Sequence, residues 1–174
     1  TPLDSSAASD VYKRQPIYFS YPFGEYNLEQ KNYISNNFEF AFGQHSGVID
    51  LNKDRYELPR FPINEKYGEI KRFKEVISYL PLQYKIIKPE NKFMNDGENP
   101  PKMTIEFFED QKNLENINCF SNEGSKWRKT KIVLIDNILN INFAEKFIER
   151  RGRINCSLKD ENGWRFSGFQ FVQN

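Results

Sequence analysis

The sequence predicts an α+β chain in two parts: a partial α/β unit over residues 16–80 and a small antiparallel β-sandwich over residues 81–174. Two observations carry this. Up to Leu80, short apolar runs alternate with segments of helical period; after Pro81 the period falls to two and the helical pattern does not return. Aromatic residues make up 16% of the 174 residues, enough apolar surface to drive folding although 28% of the chain is charged.

The elements come in this order. Residues 1–15 lack any apolar period and are expected to be a disordered or non-native leader. The string Asp10-Val11-Tyr12-Lys13-Arg14-Gln15 resembles one reading frame of a transposon end used in preparing sequencing libraries, which implies a true reading frame that begins upstream. Ile17-Tyr18-Phe19-Ser20 is a β-rich run stopped by Pro22 and Gly24, and Asn27 offers an N-cap to a helix reaching about Asn36. Residues 38–42 form a strand whose apolar continuity predicts burial on both faces, as parallel strands require. A loop leads to a short strand at 58–63, and a helix at 69–80 carries Ile70, Phe73, Val76, Ile77 and Leu80 on one face. Pro81-Leu82 reads as a linker.

Beyond it, strands are predicted at 83–87, 102–109, 115–120, 129–136, 138–143, 153–158 and 164–172, separated by turn residues that include Asp136-Asn137 and Glu161-Asn162-Gly163. In the last strand Trp164 and Phe166 share one parity and Phe169 and Phe171 the other, so a bulge at Ser167-Gly168 would turn all four inward. Cys119 and Cys156 read as buried free thiols or as an inter-sheet disulfide.

Composition removes several functions. With 25 Lys+Arg against 24 Asp+Glu the net charge is +1, so the chain has no large field to capture nucleic acid or an anionic membrane. No run of about 18 apolar residues is present, so no membrane span is predicted. The start lacks the order of a secretory signal, and any export signal would lie outside this chain. A hydrolytic zinc centre draws on two or three His or on several Cys; His45, Cys119 and Cys156 are all that this sequence offers. Neither a phosphate-cradling glycine loop nor a G-x-S-x-G elbow occurs. A complete catalytic apparatus is therefore not expected within these residues.

Two motifs carry a family resemblance. Phe19-Ser20-Tyr21-Pro22-Phe23-Gly24-Glu25-Tyr26-Asn27 resembles the strand-end "YPYG-x-YN" motif of the polysaccharide deacetylases, metal-dependent carbohydrate esterases. Ala41-Phe42-Gly43, then Gly47, then Leu58-Pro59-Arg60-Phe61-Pro62-Ile63 is similar to the family's closing "AF…G…LPRIP". The resemblance covers roughly residues 16–80. The β-rich remainder resembles C-terminal extensions of such proteins in marine bacteria. The resemblance implies a partial (β/α) deacetylase-type barrel with the β-sandwich after it, that is, the C-terminal portion of a deacetylase, inactive alone.

It also implies site roles. Phe23 would offer its backbone N–H to an oxyanion, with Pro22 and Gly24 fixing the turn. Many members begin the motif with an Arg that orients the catalytic Asp; here that position is Ser20, and Arg60 could restore the function from the next strand. Tyr21, with Phe23, could line a sugar-binding floor. No metal ligand is assigned in this chain, and a divalent metal, zinc or similar, is implied only for the full-length parent. The implied partner is a carbohydrate polymer or oligosaccharide, and an exposed truncated barrel edge would favour self-association.

Without the resemblance, Tyr-Pro-Phe-Gly is a strand-ending turn and Arg60 a surface ion pair. His45, in the polar loop Gln44-His45-Ser46-Gly47, is either solvated or a substrate contact. The basic clusters at 126–131 and 150–153 read as solvated faces. Trp127 and Trp164 are either sandwich core or sugar platforms, and their exposure separates the two.

Overall fold

In the computed structural model, which describes residues 16–50, 52–95 and 97–173, strands and helices run in the order β1 (Tyr18–Ser20), α1 (Leu28–Ser35), β2 (Phe40–Phe42), α2 (Ile70–Ile77), β3 (Leu80–Pro81), β4 (Ile86–Lys88), β5 (Phe93–Met94), β6 (Met103–Glu106), β7 (Asn118–Ser121), β8 (Arg128–Lys129), β9 (Lys131–Ile135), β10 (Ile138–Asn142), β11 (Arg151–Asp160) and β12 (Gly163–Gln173). The chain is α+β in class, mostly sheet with two helices, and no closed barrel forms among the described residues. The expected leader at 1–15 lies outside them.

The first unit is a β-α-β crossover. β1 and β2 pair in parallel with Tyr18 opposite Phe40 and Ser20 opposite Phe42. Asn27 caps α1 as the sequence predicts: its side chain accepts from the Gln30 amide at 2.8 Å, and the Gln30 side chain accepts from the Asn27 amide at 3.0 Å. Tyr21, Tyr26, Ile34 and Ala41 form a small core under this layer. The strand expected at 58–63 reduces to a single parallel bridge between Phe42 and Leu58, because Pro59 and Pro62 have no amide to donate to a ladder. The continuous burial expected for 38–42 is found only at Ala41; Phe40 and Phe42 are half-buried.

The second helix departs from its expected role. Ile70, Phe73 and Ile77 share one face as the spacing predicts, yet that face is open to solvent. Leu80 is not on the helix: Leu80–Pro81 pair in parallel with Arg165 and Phe166 of β12, and Leu82 is buried in the main core. The expected linker is therefore held inside a sheet.

Residues from Leu80 onward build two sheets with one shared core. One runs β4-β6-β10-β9, and the other runs β3-β12-β11-β7-β8, with β5 also on β12. The second is mixed, because β3 and β5 lie parallel to β12. Met103, Ile105, Leu139 and Ile141 from the first sheet meet Ile154, Leu158, Phe169 and Phe171 from the second. The turns are those expected: Asp136, at φ 54°, closes the β9–β10 hairpin, and Asp160 Oδ1 accepts from the Asn162 and Gly163 amides between β11 and β12.

Two further expectations are corrected. The β11–β12 register runs unbroken from Arg151 opposite Val172 to Asp160 opposite Gly163, so no bulge interrupts Ser167-Gly168. Phe169 and Phe171 consequently face the core, while Trp164 and Phe166 face the other side of the sheet. Cys119 and Cys156 form a disulfide, but across directly opposed residues of neighbouring strands β7 and β11 in one sheet, with Cα atoms 4.1 Å apart.

That other side of the second sheet is where the α/β unit docks. Gln170 donates from Nε2 to the carbonyls of Phe23 and Gly24 at 3.2 and 3.1 Å, and Gly47 forms an antiparallel bridge with Ser167. Gly168 must lack a side chain, since a Cβ there would lie 2.4 Å from the Ser46 carbonyl oxygen.

A candidate functional site at the strand ends

Residues far apart in the chain meet where the parallel strands stop. β1 ends into the turn Tyr21 to Gly24, β2 ends into the loop Gly43 to Ser46, and the Leu58 bridge ends into Pro59-Arg60. C-terminal strand ends are where α/β layers gather functional groups, because loops leave there with side chains and amides directed outward.

Pro22–Gly24 is a 3-10 turn in which Phe23 adopts φ 56°, ψ 9°, a left-handed conformation uncommon outside glycine. The Gly24 amide donates to Tyr21 O at 2.9 Å and the Glu25 amide to Pro22 O at 3.1 Å, which fixes the turn. The Phe23 ring is exposed, with the Arg151 guanidinium 5.3 Å from its centroid. Gly24, at φ +68°, lies against Gln44, whose amide nitrogen would be 2.4 Å from any added Cβ. The 43–47 loop is thereby clamped to the turn. On its other side the Arg60 amide donates to His45 O at 3.1 Å, and the Arg60 side chain is exposed.

Tyr21 does not project from this end. It is 3% exposed, its ring stacked 4.4 Å from Tyr26 and edge-on to Phe19 at 5.3 Å, and its buried hydroxyl has no hydrogen-bond partner among the described residues. With Pro22 it contributes only to the base of a shallow cleft of about 440 Å³ beside Tyr33.

His45 is half-buried rather than freely solvated. It lines a small cavity of about 40 Å³ with Tyr26, Glu57 and Lys92 between the α/β unit and the sheets. Burial, reinforced by the positive charge of Lys92 and only partly offset by the Glu57 backbone, lowers its pKa to about 4. The imidazole is neutral at pH 7.

Around it lies a charged cluster that sequence reasoning missed. Lys31 pairs with Asp54 at 2.8 Å and Glu57 at 3.4 Å, and Tyr26 donates its hydroxyl to Glu57 at 3.1 Å. Burial works against the Lys31 charge, but Glu57 and Asp54 outweigh it and hold its pKa above the ordinary value. Burial lowers the pKa of Lys92, whose Nζ donates to Pro89 O at 2.6 Å. No local motif marks these residues; only the fold brings them together.

The divalent metal that the resemblance implies does not fit these side chains. Among the described residues no group of three or more His, Cys, Asp and Glu is gathered for an ion. His45 faces a lysine, and Asp54 and Glu57 are committed to Lys31. The arrangement can position polar groups and hold a ligand, and it supports no hydrolytic step through a metal on these residues.

Next to the strand ends, a groove of about 430 Å³ runs between the Gln44–Ser46 loop, α2 and the free part of the second sheet. Trp127, 54% exposed, stands at this groove, and Trp164, 47% exposed, lies on the same side of the sheet as Phe166. Comparison with protein-family models, curated proteins and solved structures finds no match to this chain. No helix among the described residues is long and apolar enough to cross a membrane.

Proposed function

We propose that this chain is part of a polysaccharide deacetylase and supplies a substrate-binding wall of its site, with the metal ligands contributed by residues outside this sequence. The observation that carries the reading is the convergence of Tyr21 to Gly24, the 43–47 loop and Arg60 at adjacent parallel strand ends, with each motif in the order the family resemblance requires. On this reading β1, β2 and the Leu58 bridge are late strands of a distorted (β/α) barrel, and the two sheets are an accessory β-sandwich.

The chemistry asked of these residues is modest. The Phe23 amide, held in a turn whose neighbouring amides are already bonded, is available to an oxyanion developing on the acetyl carbonyl. Arg60 presents a planar guanidinium that suits a carboxylate in a bidentate pair, the orienting role that Ser20 cannot fill. The disulfide fits an oxidising compartment.

A second reading is favoured by one specific observation: Trp127 and Trp164 are exposed rather than buried in the shared core. A carbohydrate-binding module presents such rings as platforms for sugar faces. Acetate release from acetylated chito-oligosaccharides, measured on the protein expressed with its upstream reading frame, separates the two. Turnover supports the deacetylase reading; saccharide binding without acetate release leaves the binding module.

A further inference from the structure

We infer that the groove between α2 and the second sheet is a binding site for an acidic saccharide, one that carries carboxylate groups on its sugar rings. The inference rests on the carbohydrate reading above and assigns that reading a place and a charge.

Its aromatic wall is continuous. Tyr79 and Phe166 stack at 5.7 Å with 12° between their planes, and Phe61 closes on both at 5.9 and 5.4 Å. Trp127 lines the same groove and is exposed. Flat apolar rings with polar groups between them suit a pyranose, whose C–H face stacks on an aromatic while its hydroxyls need partners. Gln44 and Asn155 line the same groove and offer donors and acceptors. The volume of about 430 Å³ falls within the range of ligand sites, roughly 300–1,000 Å³.

The charge comes from two guanidinium groups. Arg72 is anchored before any ligand arrives: its Nη1 donates to Pro62 O and Tyr67 O at 2.9 Å each, and the group lies 5.0 Å from the Tyr67 ring. Arg153 is half-buried on β11, bonds through its side chain only from Nε to Gln170 at 3.3 Å, and has no carboxylate within ion-pair distance among the described residues. Its terminal nitrogens are left for a ligand. Burial and the neighbouring Arg151 oppose its charge and outweigh the favourable influence of Glu149 and Tyr67, so its pKa lies below the ordinary arginine value. Glu75 is the one carboxylate among the described residues of the lining, and it is exposed at the helix surface.

The test is calorimetric titration of the whole chain with tetragalacturonate, with an uncharged chito-tetrasaccharide and with a single-stranded oligonucleotide. Tetragalacturonate should bind at least about tenfold more tightly than the uncharged sugar, as expected for a charge-assisted pair. Arg153→Gln should erase that preference, and Trp127→Ala should weaken both sugars. In a Trp164→Phe background the remaining indole reports on the groove, so its emission should shift on titration even if Trp127→Ala folds poorly. Equal affinity for charged and uncharged sugars, an unshifted emission, or binding of the oligonucleotide alone would overturn the inference. Sugar binding that survives Arg153→Gln and Trp127→Ala but is lost with Arg60→Ala would also overturn it, relocating the ligand to the strand ends while leaving the carbohydrate reading intact.

Discussion

Arg60 and His45 are joined through one backbone hydrogen bond but differ in setting, the arginine side chain exposed to solvent and the imidazole half-buried at a small cavity. Arg60 has no ion-pair partner among the described residues, so it is free to meet a carboxylate from elsewhere. On the deacetylase reading proposed above, Arg60→Ala in a protein that also carries the metal ligands should lower turnover by about one to three orders of magnitude with folding unchanged, by analogy with losing a positioned polar group. Arg60→Lys should recover part of that loss, because an ammonium lacks the fork; near-normal turnover in Arg60→Ala would return the residue to the surface. His45 makes a prediction about stability instead. Its pKa of about 4 in the fold lies below the ordinary value near 6.5, so the unfolded chain binds the extra proton first as pH falls. The stabilisation from keeping His45 neutral is complete above pH about 6.5 and is lost progressively as pH drops toward 4. Urea denaturation across that window should show the slope in the parent chain and a flatter one in His45→Gln, and identical slopes would rule out the assignment.

The elements show what a sequence discloses and what it withholds. Turn and cap chemistry is local and therefore legible: the Asn27 capping box, the turn at Asp136-Asn137 and the Asp160-anchored turn before Gly163 are all present. Strand faces are not local. The sequence pattern suggests a bulge in β12 only if one side of the strand has a partner, whereas both sides are used: Phe169 faces the shared core and Gln170 the docked α/β unit. The cluster of Tyr26, Lys31 and Glu57 is invisible in the sequence for the same reason, its members being 26 and 31 residues apart in their pairings. The cysteines obey this logic too. Both read as strand residues, but the pairing of β7 with β11, which sets them directly opposite, is a long-range fact. Their cross-link spans 37 residues, for which the chain-entropy account gives about 4 kcal/mol of stabilisation. Reduction, or Cys119→Ser with Cys156→Ser, should lower the thermal midpoint clearly without changing the far-ultraviolet spectrum; an unchanged midpoint would show that the bridge does not form in solution.

At the scale of the molecule, one apolar surface has no partner among the described residues. Ile70, 68% exposed, and Ile77, 64% exposed, flank Phe73 on α2, so a helix with well-ordered apolar spacing presents it to water. β1 adds an open edge, since among the described residues it pairs only with β2 and carries an exposed Tyr18. In a symmetric contact three such side chains from each copy, six in all, would gain at most about 1.5–3 kcal/mol each, and less because all are already partly covered. Association costs an estimated 4–15 kcal/mol in lost rigid-body freedom, so the two nearly cancel and a tight dimer is not expected. Weak, concentration-dependent self-association is the outcome these magnitudes allow. Sedimentation velocity should give a weight-average mass that rises from near 20.7 kDa as the protein is concentrated. Ile70→Ser with Ile77→Ser should suppress the rise while leaving the thermal midpoint in place, because neither side chain supports the core. A mass that stays at the monomer value at every concentration would mean that this face is not a contact between copies, and a rise that persists in the double variant would move the contact to the β1 edge.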